Sequence, residues 1–240
     1  MARVYAFANQ KGGVGKTTTA INLERALAGL DPQANATSGL GMRANGTSSY
    51  DLLDGAPLED LVKPTAFTNL FLVPSRPELA GAAVELSRRD DGDRYLAQAL
   101  EHVDEFDFVL LDCPPSLGPL TVNALAAADR VIVPVQAEYY ALEGLAQLVQ
   151  SINLIKARLN PRLEIAGVLL TMTDGRTRLS ADVEAEVRRH FGELVFASVV
   201  PRSVRVAEAP SHGLPVTHYD RRSAGAEAYW KVAMELVERS

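Results

Sequence analysis

Apolar and polar positions follow two rhythms along this chain. Short runs such as Asp107-Phe108-Val109-Leu110-Leu111-Asp112 and Ala166-Gly167-Val168-Leu169-Leu170 are apolar almost throughout, as strands covered on both faces are. Between such runs lie longer stretches with helical periodicity. The pattern predicts strands over 4–8, 70–73, 106–111, 131–135, 165–170 and 195–199, and helices over 16–28, 94–103, 119–128, 142–159, 181–191 and 224–239. Strands interleaved with helices predict an α/β fold, a mostly parallel twisted sheet flanked by helices on both faces. Residues 35–49, rich in Gly, Ser, Thr and Asn, read as loop, as does Asp90-Asp91-Gly92-Asp93, with Asp93 as a helix cap. Neither an internal repeat nor a Pro/Gly linker interrupts the pattern, so residues 1–240 read as a single domain.

Composition narrows this picture. Hydrophobic residues make up 47% and charged residues 22% of the 240, the range of an ordered globular chain. No apolar run approaches the ~18 residues needed to span a bilayer, and the N-terminus lacks the charged-then-apolar pattern of a signal peptide. A single cysteine, Cys113, rules out an internal disulfide and a multi-cysteine metal site, and fits a reducing cytoplasmic compartment. The net charge of −6 argues weakly against a nucleic-acid partner, but its distribution matters. Residues 1–155 hold 11 Lys and Arg against 19 Asp and Glu, whereas residues 156–240 hold 13 against 11. A local basic face on an acidic protein can still bind phosphates, although a solvated surface explains the same counts.

The candidate chemistry begins after the first strand. The segment Lys11-Gly12-Gly13-Val14-Gly15-Lys16-Thr17-Thr18 stands between a predicted strand and a predicted helix. Glycines there let backbone N–H groups close on a polyphosphate. Lys16 suits the outer phosphates and the Thr17 hydroxyl suits Mg²⁺. Against the pattern G-x-x-x-x-G-K-[ST], Gln10 replaces the first glycine and Lys11 adds a second lysine, the deviant form of the phosphate loop. Asp112 ends an apolar strand, where ligands bind in α/β folds; a turn residue is the structural alternative. Pro114 and Pro115 stiffen the loop after it.

From Asn9 to Thr19 the chain resembles the ParA/Soj partition ATPases, which belong with MinD in the deviant Walker A group. The resemblance continues through residues 31–41, Leu111-Asp112-Cys113-Pro114-Pro115-Ser116, residues 134–144, Val200-Pro201-Arg202-Ser203-Val204-Arg205 and Glu208-Ala209-Pro210-Ser211-His212-Gly213. It implies a P-loop ATPase that binds ATP with Mg²⁺, forms an ATP-dependent sandwich homodimer and binds DNA nonspecifically. A ParB-like centromere-binding partner would then stimulate hydrolysis and release. It also implies a nucleoid-associated location in the cytoplasm and no membrane binding.

The resemblance further implies that Lys11 reaches the nucleotide of the facing copy. Asp112 would hold Mg²⁺ through water, and Asp31 would position the attacking water. Met172, Pro201 and Arg202 would flank the adenine. Arg176 and Arg205 match DNA-binding positions, where phosphate contacts would be sequence-independent. The bland readings are a solvated Lys11, a turn at Asp31-Pro32, loop packing around the adenine positions, and an ion pair between Arg205 and Glu208. With no helix-turn-helix ahead of the phosphate loop, operator-specific binding is not expected. A MinD-like membrane regulator would need an amphipathic membrane helix at the end; residues 224–240 carry many acids and read as a helix packed on the domain.

One departure stands out. Relatives place a strand between the first helix and the Asp31 position, and here roughly nine residues of helix end, turn and strand are missing by residue spacing. A helix over 16–28 climbs about 18 Å, too far for Asp31 to return to the phosphates. The segment therefore demands a much shorter helix, a displaced Asp31, or residues lost from the chain. A genuine shortening of this segment would leave nucleotide binding with impaired hydrolysis, a nucleotide-dependent scaffold.

Overall fold

The computed structural model describes residues 2–23, 26–138 and 141–239. The apolar runs become strands of one seven-stranded sheet: β1 (Arg3–Phe7), β2 (Ala26–Gly29), β3 (Lys63–Pro64), β4 (Phe71–Val73), β5 (Phe108–Asp112), β6 (Arg130–Gln136) and β7 (Glu164–Thr171). Their order is β3-β4-β2-β5-β1-β6-β7. All pairings are parallel except that of the short edge strand β3 with β4. After β1 the chain moves to one side of the sheet, and from β5 it crosses back to the other. β1 is thus the point where strand order reverses, and its C-terminal end is where open α/β sheets bind ligands.

Alternation along the strands builds a core on each face. Val4 and Ala6 of β1, Val109 and Leu111 of β5, and Val131 and Val133 of β6 share one apolar cluster with the helices Pro119–Ala127 and Ala141–Arg158. Tyr5, Phe7, Leu110 and Ile132 point into the other, with the helices Lys16–Asn22 and Ala224–Glu238. This is the expected sheet with helices on both faces. The last helix buries Ala226, Tyr229, Val232 and Leu236 against the body, and no helix among the described residues is long and apolar enough to cross a membrane.

The segment that posed the geometric problem is resolved by a short helix. The expected helix over 16–28 ends at Asn22, with Leu23 as its C-cap. Glu24 and Arg25, within the same expectation, lie outside the described residues. Ala26–Gly29 is a strand, lodged between β4 and β5, with Gly29 opposite Asp112. Alanine's helix propensity is a weak prior, and burial between two strands overrides it. Small side chains suit the place: a Cβ on Gly29 would stand 3.1 Å from the Ser75 Cβ. Asp31 therefore follows a strand that ends beside Asp112.

Other expectations shift locally. No continuous strand forms over 195–199; Val195 makes one isolated bridge to Val168 and Pro201 one to Thr173. Side chains take the backbone groups that a ladder would use. Arg188 and Arg239 donate to the carbonyls of Phe196 and Val195, and the Glu235 carboxylate accepts from the N–H groups of Ala197 and Ser198. The stretch 35–49 is not all loop, since Asn35–Gly39 forms a helical turn. The helix expected over 94–103 spans only Tyr95–Ala99, and its N-cap is Arg94 rather than Asp93. Tyr139 and Tyr140, part of the 134–144 resemblance, also lie outside the described residues.

Gly167 shows how tightly β7 meets the residues that follow. An added Cβ would lie 2.6 Å from Phe196 Cε2 and 2.8 Å from the Leu194 carbonyl. Gly167→Ala is expected to destabilise the protein by about 1–3 kcal/mol through overpacking, read as a lower urea midpoint at unchanged slope.

Candidate functional site

The loop after β1 folds into a cradle because its glycines sit where side chains would be strained. Gly13 and Gly15 have φ of +73° and +89°, in the left-handed region that glycine adopts freely. Gly15 then caps the helix Lys16–Asn22. Two cross-ties hold the loop to β6 and β7, and a third, local bond joins the helix start back to Gly15. Asn9 Nδ2 donates to the Pro134 carbonyl at 2.7 Å, the Thr171 hydroxyl donates to the Val14 carbonyl at 2.8 Å, and the Thr19 hydroxyl donates to the Gly15 carbonyl at 2.7 Å.

A cavity of about 410 Å³ opens over this cradle, a size suited to a small-molecule ligand. Of the expected phosphate-loop residues, Gly12, Gly13, Gly15, Lys16, Thr17 and Thr18 line it. Val14 is buried and serves through its carbonyl. Asp31 lines the same cavity, so the short β2 returns it to the phosphate site. Its Oδ1 accepts from the Gln33 N–H at 2.9 Å, and its carbonyl accepts from the Ser75 hydroxyl. Met172 also lines the cavity, with a φ of +52° that is unusual for its residue type. Pro201 and Arg202 are not among the lining residues; Arg202 N–H donates to the Thr173 carbonyl, one residue beyond Met172.

Charge is concentrated beneath the loop, where Asp112 lies behind the cavity wall and is not among its lining residues. Asp112 is fully buried, and neither carboxylate oxygen has a hydrogen-bond partner of good geometry. Burial raises its pKa to about 7, with the nearby Asp31 carboxylate adding to the rise while the Thr17 hydroxyl and Lys16 oppose it. Lys16 is buried too, and its Nζ donates to the Lys11 carbonyl at 3.2 Å. Burial lowers the Lys16 pKa, and the Asp112 and Asp31 charges partly offset this. Cys113 is a buried thiol whose pKa is raised by burial and then by Asp112, so it is packed rather than reactive. A hydroxyl beside an orphaned buried carboxylate is a donor set that fits a hard divalent cation.

Lys11 lies outside the cavity. Its side chain is half exposed, and its Nζ pairs with Glu138 Oε2 at 2.5 Å. The two candidate DNA residues are also exposed and paired. Arg176 meets Asp174 at 2.8 Å, and Arg205 meets Glu208 at 3.1 Å and Asp220 at 3.4 Å.

The cavity has an apolar side to which sequence reasoning gave no role. Ile21 and Gly39 border it together with Val206, Ala209, Pro210 and Leu214. Ala209-Pro210 belongs to a stretch already singled out by resemblance, which was the available signal. Gln33, Asn35 and Ser38, inside the 31–41 resemblance but given no role there, and Asn22, which no motif marks, add polar groups.

A glycine cradle at the strand-reversal point, with a buried lysine and an unpartnered aspartate beneath it, defines a P-loop nucleotide-binding protein. The AAA domain family matches residues 2–165. The chain is 54% identical over 246 residues to the chromosome-partitioning ATPase Soj of Thermus thermophilus, spanning 99% of this chain and 96% of the relative. It is 48% identical over 250 residues to the sporulation initiation inhibitor protein Soj of Bacillus subtilis, spanning 99% of each. A Mycobacterium smegmatis structure described as cobyrinic acid a,c-diamide synthase, with bound ATP analog and magnesium, is 36% identical. Its TM-score is 0.85, covering 99% of this chain and 95% of that one. The chain belongs to the Soj/ParA family of chromosome-partitioning ATPases. Both Soj alignments run longer than the 240 residues here, so each relative carries residues that this chain lacks.

Burial holds the Asp112 carboxyl at about 7 in the fold, well above the 3.8 ordinary for an aspartate. The stability it contributes is therefore present below about pH 4 and lost as pH rises through 7. Ligand-free Asp112→Asn is expected to be more stable than the wild type above pH 7, by about 1–3 kcal/mol, with the gap closing toward pH 4. Urea titrations across that range check it; a constant gap would refute it.

Proposed function

We propose that this chain is an ATP-driven DNA-partitioning switch. The observation that carries the reading is that Lys16 and Thr17, on the cavity wall, stand beside the buried Asp112, whose carboxylate lacks a hydrogen-bond partner of good geometry. The bound ATP analog and magnesium described for the M. smegmatis protein support it.

In this reading ATP lies with its phosphates on the amides of residues 12–18, and Lys16 contacts the outer phosphates. Thr17 and Asp112 hold Mg²⁺, Asp112 through water; the metal, when bound, neutralises phosphate charge and fixes the triphosphate. Asp31, on the cavity wall, orients the attacking water. Met172, with Pro201 and Arg202 behind it, flanks the base, and the apolar wall from Ile21 to Leu214 shields the ligand from water.

Lys11 acts on a second copy. An exposed ion pair such as Lys11–Glu138 is worth little, so Lys11 can exchange Glu138 for the phosphates of a facing protomer, where its charge offsets that developing in the transition state. The homodimer then holds DNA through backbone phosphates, with Arg176 and Arg205 as contacts. A ParB-like partner stimulates hydrolysis and releases it. The protein would accordingly work on the nucleoid in the cytoplasm, as a single domain over 1–240.

The return of Asp31 to the cavity favours turnover over a scaffold without hydrolysis. Asp31→Ala is expected to keep ATP affinity and to lose about tenfold or more in kcat with DNA and partner present; unchanged kcat would remove the role. The whole switch is tested by ATP-dependent DNA retention of the intact protein beside Lys16→Ala and Arg205→Ala. Both variants should lose DNA, with nucleotide binding kept only by Arg205→Ala. Retention by both at wild-type level would overturn the reading.

A further inference from the structure

A second cavity opens at the opposite end of the sheet and shares no lining residue with the nucleotide cavity. Its volume is about 610 Å³. It lies at the starts of β1 and β6, next to the helix Tyr95–Ala99 and the end of the helix Pro119–Ala127. This is the end of an α/β sheet that its usual ligands do not use.

Four arginines border the cavity: Arg3, Arg94, Arg130 and Arg162. Among the described residues, the guanidinium groups of Arg3, Arg94 and Arg162 make no ion pair and no hydrogen bond. Arg130 is half committed. It donates to the Arg239 carbonyl, and its other end stands 4.0 Å from Glu164. Two carboxylates share the lining, Asp129 and Glu101. That of Asp129 is engaged, accepting the Val4 N–H at 2.9 Å. Positive charge is thus in excess here, in a chain whose net charge is −6. Beneath the arginines, Val4, Leu100 and Val103 give a buried apolar wall.

We propose that this basal cavity is a binding site for a small organic phosphate carrying two or more anionic groups. Planar guanidinium forks match phosphate oxygens two at a time, and several forks around one recess suit more than one charge. The volume fits a metabolite-sized ligand, and the apolar wall receives its carbon body. A long polyanion is disfavoured by the recess and by Glu101 and Asp129 beside the arginines. The site does not depend on the nucleotide reading.

The test titrates fructose 1,6-bisphosphate, as a bisphosphate probe, into the full chain already saturated with ADP and Mg²⁺, by calorimetry at 0.15 M salt. One equivalent is expected to bind to the wild type and to Arg158→Ala, an exposed arginine outside the cavity. Binding is expected to weaken at least about tenfold in Arg3→Ala/Arg162→Ala, the effect of losing charge-assisted contacts. ADP affinity, unchanged in every variant, reports an intact fold. Should the double variant lose it, Arg94→Ala alone decides, with the same weakening expected. No binding by the wild type, or equal binding by the cavity variants and Arg158→Ala, would overturn the site.

Discussion

A carboxylate without a partner, sealed beneath the phosphate loop, sets the terms for the rest of this molecule. Neither oxygen of Asp112 has a hydrogen bond of good geometry in a fully buried setting, with only partial relief from the Thr17 hydroxyl and Lys16, and an undercompensated buried charge costs several kcal/mol. The fold tolerates it because the surrounding frame is over-determined. β5 is paired on both sides, with Phe7 and Gly29 as the partners of Asp112. The unmet demand of that carboxylate faces Thr17 and Lys16, so what destabilises the empty protein is what a cation and a triphosphate would satisfy.

The same frame explains why a very short connection still delivers a complete site. β2 has four residues, and its register against β5 sets Gly29 level with Asp112 and Asp31 two residues beyond it. Gly29 and the flanking alanines are small enough to sit between β4 and β5, and Ser75 ties down the Asp31 carbonyl. The short connection leaves Asp31 on the wall of the cavity.

Around this rigid centre, the cationic groups that would reach other molecules are held by weak exposed pairs. Lys11 rests on Glu138, Arg176 on Asp174, and Arg205 on Glu208 and Asp220. Such pairs hold a side chain in place at little cost to its exchange for a phosphate. The helix Val204–Glu208 joins the two regions, because Val206 lines the nucleotide cavity while Arg205 faces its acidic partners outside.

By itself the sequence determined the α/β class, because strands buried on both faces must be apolar at nearly every position. It also determined the phosphate loop, whose glycines and lysines are local requirements of backbone conformation and charge. It determined Asp112 as well, at the end of an unmistakable apolar run. Tertiary structure alone decided that Ala26–Gly29 is a strand and that Asp31 comes home, since an alanine-rich stretch has no periodicity to report and only the gap between β4 and β5 selects its form. It alone decided the apolar wall of the cavity and the arginine-bordered recess below the sheet. Both are assembled from residues far apart in the chain, and no local pattern records which distant side chains the sheet will bring together.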